Sequence, residues 1–475
     1  MTATVIALNA LSTSTTLTGF EQLNAAAATT YDLTNATGVT KLGVNVSAGA
    51  VAFSNAAATQ NTISLSGANQ RTTAADATTS ITSGGGVTYA LKTGTGVADA
   101  LTLAVDNGGL ASTGTYTVGG AVAATAVENV TLATADFKAV TVGGFTLAAT
   151  PTANVAFVAT GAANLMLGTI AITGGLATGT DTVTTTGVTG TVSATLSDAT
   201  NNLTFVGGAG VTTLTTADIA AAKVQSITTG AGADVVTVTA MTAIATTNIV
   251  TGLGDDRIVL NAAVAQTTHT LLNIDGGAGI DTLATTGAAG TNTINATIAG
   301  IEKISLESTT ANATTLNLTV ASGYADTVQI VDVSGATETI AFNTSAGGAI
   351  NLSKVTTLGW TSGTDVLQVV SNTGNESFTL GAKDSVAANV IETYVARTSA
   401  TNGSDTITGF TVGAGGDALK LVAGDTTGAA TATSAANVFT LSSTAVNAAN
   451  EIIVLVGATY ATSALAEAAL TVGAD

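Results

Sequence analysis

Three carboxylates fall at one place in a repeating turn. Asp234, Asp256 and Asp281 each follow two glycines, at i−4 and i−2: Gly230 and Gly232, Gly252 and Gly254, Gly277 and Gly279. The spacing is 22 residues from Gly230 to Gly252 and 25 from Gly252 to Gly277. One step earlier, Gly208 and Gly210 lead to Thr212 in place of an aspartate. Glycine takes up φ > 0 in a tight turn, and without a Cβ it lets backbone carbonyls converge. A carboxylate arriving just after adds a charged oxygen. Two such turns from successive coils would form a cage of about six to eight oxygens, the donor set of Ca²⁺. Asp255 and Asp275 would supply further oxygens, and "GSDTI" (Asp405) and "GAGGDAL" (Asp417) are half-matches nearer the C-terminus. With one histidine and no cysteine, zinc lacks its usual ligands. Magnesium demands a tighter octahedron and keeps its waters. Glycine and aspartate are also ordinary turn residues, but three copies in register, each leading into a β-branched or apolar run, are more than one such turn.

A fixed period of this size is the signature of a solenoid, in which each repeat is one coil stacked on the next. The rest of the chain agrees with β-structure. Residues 1–200 hold short β-type runs such as "VTKLGVNV", "ALTLAV", "AVTVGGFTLA" and "TVSATLS", bounded by Gly, Asn and Asp. Residues 201–290 carry the glycine–aspartate repeat. Longer alternating runs, "TTLNLTV", "TVQIVDV" and "NVIETYVAR", fill 291–400. Residues 401–475 contain the two half-matched turns and an alanine-rich stretch, "ATSALAEAAL", that is the best helix candidate. The expected fold is therefore all-β, mostly a parallel β-solenoid or β-roll with calcium between coils. A second motif, an apolar residue, a glutamate and then an apolar alternation, recurs at Glu21, Glu128, Glu302 and Glu392. It reads either as a marker at the start of a strand or as a solvated glutamate at a strand edge.

Composition narrows the partners. The 475 residues include 30 Asp+Glu against 11 Lys+Arg, a formal charge of −19. Nucleic acid and anionic membrane surfaces need clustered Lys and Arg, so neither is an expected partner, whereas cations are. Aromatics make up only 4 % of the chain, which argues against a large core of Phe, Trp and Leu. Without cysteine there is no disulfide, and bound metal is the natural alternative staple outside a cell. No apolar run is long enough to span a bilayer. The first Lys or Arg is Lys41, so the start does not read as a secretory signal peptide. That leaves residence inside, export directed from elsewhere in the chain, or a start that is not the natural one.

"GGAGIDTLA", "GAGADVVTV" and "GLGDDRIVL" resemble the nonapeptide repeat G-G-x-G-x-D-x-U-x of RTX (repeats-in-toxin, hemolysin-type) proteins, which bind calcium in a parallel β-roll. Those repeats recur every nine residues, with two turns per coil. This chain has one glycine turn per coil of about 22, which departs from a two-sided calcium ladder. Set in Thr/Ala/Gly-rich sequence and followed by "AGIEKISLE", the turns look like those of RTX-type surface-layer proteins of Gram-negative bacteria, the Caulobacter type in particular. The resemblance is clearest over residues 201–310. It implies type I secretion directed by an uncleaved C-terminal signal, calcium-dependent two-dimensional self-assembly at the cell surface, and anchoring to lipopolysaccharide through a separate N-terminal region. No such anchoring region is recognisable in the sequence.

No catalytic constellation stands out. His269 is the sole histidine, so an H-E-x-x-H zinc site is excluded and a Ser–His–Asp triad would have to use it. Arg71, Arg257 and Arg397 are far apart, and Trp360 reads as a structural anchor. The sequence therefore points to a secreted structural protein rather than an enzyme. An RTX adhesin or another extracellular β-solenoid binding protein is the alternative.

Overall fold

The computed structural model describes residues 20–381 except 45–48, 66–79, 84, 95, 108–109, 112, 151–152, 177, 199, 217–221, 240–245, 262–270, 287–291, 308–313, 334–336, 361–364 and 373. Beyond 381 it describes the strands Glu392–Ala396, Thr406–Thr408, Ala418–Leu421, Ala445–Val446 and Thr471–Val472. The expected helix at 461–470 lies outside the described residues, as do His269, Asp405 and Asp417. Every strand pairing is parallel, and the coils stack as a β-solenoid. Among the described residues no helix is long and apolar enough to cross a membrane.

The chain divides into two compact units. The first comprises Met1–Ala288 with Ala299–Lys303, and the second Ala289–Ile298 with Ile304–Asp475. Residues 1–200 and 201–288 thus fall in the first unit.

From Ala100 onward each coil of the first unit supplies one strand to each of two sheets, whereas the coil before it adds both Ile81–Ser83 and Val87–Leu91 to the second. Val224–Gly230, Thr246–Gly252 and Leu271–Asp275 stack in the first sheet, and Val235–Val238, Arg257–Asn261 and Thr282–Thr286 in the second. The register advances by one whole coil, pairing Val235 with Arg257 and Arg257 with Thr282. The period-2 alternation then does what it must in a strand, sending every second side chain inward. In Val192–Asp198, Val192, Ala194, Leu196 and Asp198 are buried and the residues between them are half-buried. Val, Thr and Ile suit this pleated surface, which is why a chain poor in large apolar residues can still build it.

The core is a single layer between the sheets. Composition argued against a core built on aromatics, yet the structure places the few it has at the centre. Tyr31, Phe53, Tyr89, Tyr116, Phe145, Phe157 and Phe205 are all buried. Phe145 and Phe157 pack with ring centroids 4.8 Å apart. All seven lie before residue 206; in the second unit Tyr324, Phe342 and Phe378 are buried in the same way.

The second unit has the same parallel character. Thr314–Thr319, Glu338–Asn343 and Val366–Val370 stack in one sheet, and Gln329–Asp332 pairs with Thr356–Leu358 in another. Ala349–Asn351, Ser377–Thr379 and Thr406–Thr408 form a third, three-stranded sheet.

Candidate functional site: a column of buried carboxylates

The glycine–aspartate turns all occupy one corner, where the chain leaves the first sheet and enters the second. At Gly252 (φ 101°) and Gly277 (φ 90°) the backbone is in the left-handed region. A Cβ on Gly277 would lie 2.0 Å from Gly252 O, and one on Gly252 would lie 2.1 Å from Gly230 O. Any other residue there would push successive coils apart. Gly230, Gly232, Gly254 and Gly279 line the same corner. The turns are stitched by backbone bonds, Leu253 N–H to Gly230 O (2.9 Å) and Ala278 N–H to Gly252 O (2.8 Å). The Gly230 and Gly252 carbonyls, expected to face a cation, are thus engaged with the next turn.

The aspartates point inward. Asp234, Asp256 and Asp281 are at most 1 % exposed, and each carboxylate accepts the backbone N–H of the equivalent residue one coil earlier. Thr212 N–H donates to Asp234 Oδ1 (2.6 Å), Asp234 N–H to Asp256 Oδ1 (2.7 Å) and Asp256 N–H to Asp281 Oδ1 (2.8 Å). Asp281 N–H donates in turn to Glu302 Oε2 (2.8 Å). Thr212, the apparent gap in the repeat, is therefore the first donor of the column.

The second oxygens are unpartnered. Oδ2 of Asp234, Asp256 and Asp281 is buried without a hydrogen bond, the nearby Thr229 hydroxyl donating instead to Thr251 O (2.9 Å). Burial raises the Asp234 carboxyl above its ordinary range, against the pull of Thr229 and the Thr212 amide, and the Asp256 charge adds to the rise. Burial pushes Asp281 up to about 6, opposed by the Asp256 amide and reinforced by the charges of Asp256, Glu302 and Asp255. Stacked coils are about 4.8 Å apart. At that spacing fully ionised carboxylates repel strongly unless a proton or a cation intervenes.

Asp255 and Asp275 do not join this column. Both are exposed, with Asp255 Oδ1 accepting from Ile280 N–H (2.9 Å) and Asp275 Oδ1 from Gly277 N–H (3.0 Å). They cap the outside of the turn. Among the described residues no three His, Cys, Asp or Glu side chains gather as a group able to hold a metal ion. Tested against Ca²⁺, the corner offers an oxygen-only donor set with three unpartnered buried oxygens. Of the other expected ligands, the Gly230 and Gly252 carbonyls and one oxygen each of Asp255 and Asp275 already accept from amides.

The recurrent glutamate resolves the same way. Glu128 is buried and accepts from Asp99 N–H (3.0 Å), just before the strand Asn129–Thr134. Glu302, half-buried, accepts from Asp281 N–H before Lys303–Leu306, whereas Glu21 is exposed and the Glu392 side chain lies outside the described residues. Four further acids were not singled out in the sequence. Asp181 accepts from Val155 N–H (2.6 Å), Glu338 from Thr314 N–H (2.9 Å), Asp365 from Glu338 N–H (3.0 Å) and Glu376 from Gly347 N–H (2.8 Å). Their separations, 26, 24, 27 and 29 residues, depart from the 22-residue period and hide them. The findable signal was an acid at or just before the start of a β-run.

Comparison with protein-family models, curated proteins and solved structures found no match to this chain.

Proposed function

We propose that this chain is a structural, non-catalytic protein: a secreted subunit that assembles with copies of itself into a calcium-dependent surface layer on a bacterial cell. The observation that carries the reading is the column of Asp234, Asp256 and Asp281, fully buried with one unpartnered oxygen each. Such a column calls for a countercharge, and its all-oxygen character suits Ca²⁺. Linkage then makes calcium binding a contribution to folding, which fits export of an unfolded chain into a calcium-rich exterior. Self-association is supported by the outer face of the same corner, where Leu253 and Ile280 are well exposed and Val211 partly so. The formal charge of −19 holds copies apart until a divalent ion screens or bridges it.

Thermal melts and light scattering across a calcium titration, read beside electron microscopy, test this. Calcium should raise the melting temperature and drive planar assemblies, and chelation should reverse both. An unchanged melt in excess chelator, with an intact fold that stays monomeric at every calcium concentration, sinks the surface-layer reading and leaves the adhesin. Titration calorimetry assigns the ligands. Asp256→Ala should bind less calcium than Asp405→Ala, and equal stoichiometry would remove the column from the ligand set.

A further inference from the structure

The opposite corner of the first unit, where the chain passes from the second sheet back to the first, holds a different acidic arrangement. Asp181 opens the strand Thr180–Val188, Asp198 closes Val192–Asp198, and Asn201 precedes Asn202–Val206. All three are fully buried. Asp181 has both oxygens satisfied by N–H donors, Oδ1 by Val155 N–H (2.6 Å) and Oδ2 by the Asn201 side-chain amide (2.9 Å). Asp198 Oδ1 accepts from Thr200 N–H (2.9 Å) and Asn201 N–H (3.0 Å), while its Oδ2 is buried without a partner. Asn201 joins the two acids, its backbone N–H donating to Asp198 Oδ1 and its side-chain amide to Asp181 Oδ2, close enough for each carboxyl to feel the other.

Among the described residues packed around the pair there is no countercharge. Residues 139–222 contain no Lys, Arg or His. The strands packed around the pair, Ala156–Gly161, Asn164–Gly174, Asn202–Val206 and Thr212–Thr216, carry no titratable side chain. Two carboxylates this close in a dry interior cannot both stay ionised. The groups bonded to the two carboxyls are the Val155, Thr200 and Asn201 amides and the Thr200 hydroxyl, all donors, which stabilise one negative charge. Two oxygens here are buried without a partner, Asp198 Oδ2 and Asn201 Oδ1.

We propose that Asp181 and Asp198 form a buried acid pair that shares a single proton, carried on Asp198 and donated to Asp181. Its loss as pH rises loosens the middle coils of the first unit. The pair is a proton site distinct from the glycine–aspartate column. Burial, with the adjacent Asp181 adding, pushes Asp198 up to about 6 from 3.8, against the two backbone amides it accepts. A raised folded-state value means that the stabilisation is complete below the unfolded value near 4 and is lost as pH climbs through about 6.

Urea unfolding of the full chain at pH 5 and pH 8, in chelator and at constant ionic strength, compared with Asp198→Asn, tests the proposal. The asparagine amide supplies an N–H where the proton sits. Wild type should lose about tenfold more of its folding constant between the two pH values than the variant does. Equal losses overturn the proposal. So does recovery of wild-type stability at pH 8 by added Na⁺ or Ca²⁺ that the variant does not show, since the occupant would then be a cation. Should Asp198→Asn not fold, Asp181→Asn makes the same comparison from the other side of the pair. Because Asp281 titrates in the same range, the infrared readout is the difference between wild type and Asp198→Asn. A carboxylic-acid C=O band at pH 5 that is gone by pH 8 and weaker in the variant is expected, and identical bands in the two proteins overturn the pair.

Discussion

One inward-facing column of the second sheet changes character along its length. Tyr116, Val140, Leu165 and Val192 fill it in the earlier coils, and Thr212, Asp234, Asp256 and Asp281 in the later ones. All eight are buried. The corner amide shows why the change is tolerated. In the apolar stretch Leu165 N–H donates to Thr191 O (2.7 Å) and Val192 N–H to Val211 O (2.9 Å), both backbone carbonyls of the next coil. From Thr212 onward the same amide donates to the next coil's carboxylate instead. A side-chain oxygen has replaced a main-chain one. The glycine turn permits the exchange, because it reshapes the backbone at the corner while the N–H still needs an acceptor.

This comparison is broken most severely by exchanging the two kinds of residue. Val140→Asp buries a carboxylate where amides already have carbonyl partners, and the expected loss is about 3–5 kcal/mol in urea unfolding. Next comes Asp256→Ala, which leaves the Asp234 amide buried and unpaired for about 1–3 kcal/mol. Asp256→Asn keeps an acceptor oxygen and should recover most of that loss. The column also carries a pH signature. Asp281 is raised to about 6, so its contribution is complete in acid and fades as pH climbs through that value. In chelator, Asp281→Asn should flatten the fall between pH 5 and pH 8 by about tenfold in the folding constant. Smallest of all, Asp275→Ala and Asp255→Ala remove exposed turn caps and should change stability by no more than about 0.5 kcal/mol.

The parallel solenoid was legible because its two signals are local. The glycine period marks the coils and β-branched alternation marks the strands, and both survive in the stacked sheets. Runs such as "ALTLAV" and "TVSATLS" coincide with the strands Ala100–Val105 and Val192–Asp198. The direction of the aspartates was harder to read. A turn carboxylate can point at a cation outside or at an amide inside, and residue type alone does not choose between them. Burial chooses, and burial depends on the neighbouring coil. For the same reason Asp255 and Asp256, adjacent in sequence, have opposite surroundings. The pair of Asp181 and Asp198 was invisible, because their proximity joins two strands at irregular spacing with no repeated turn to flag it.

The claim that the repeated carboxylates stand in for backbone carbonyls has one direct readout, hydrogen exchange at the Asp234 amide. It should be strongly protected in the wild-type chain and should exchange much faster in Asp256→Ala, while the Leu165 amide, bonded to a main-chain oxygen, stays unchanged in both. Equal protection of Asp234 in the two proteins, with the fold intact, would contradict the account.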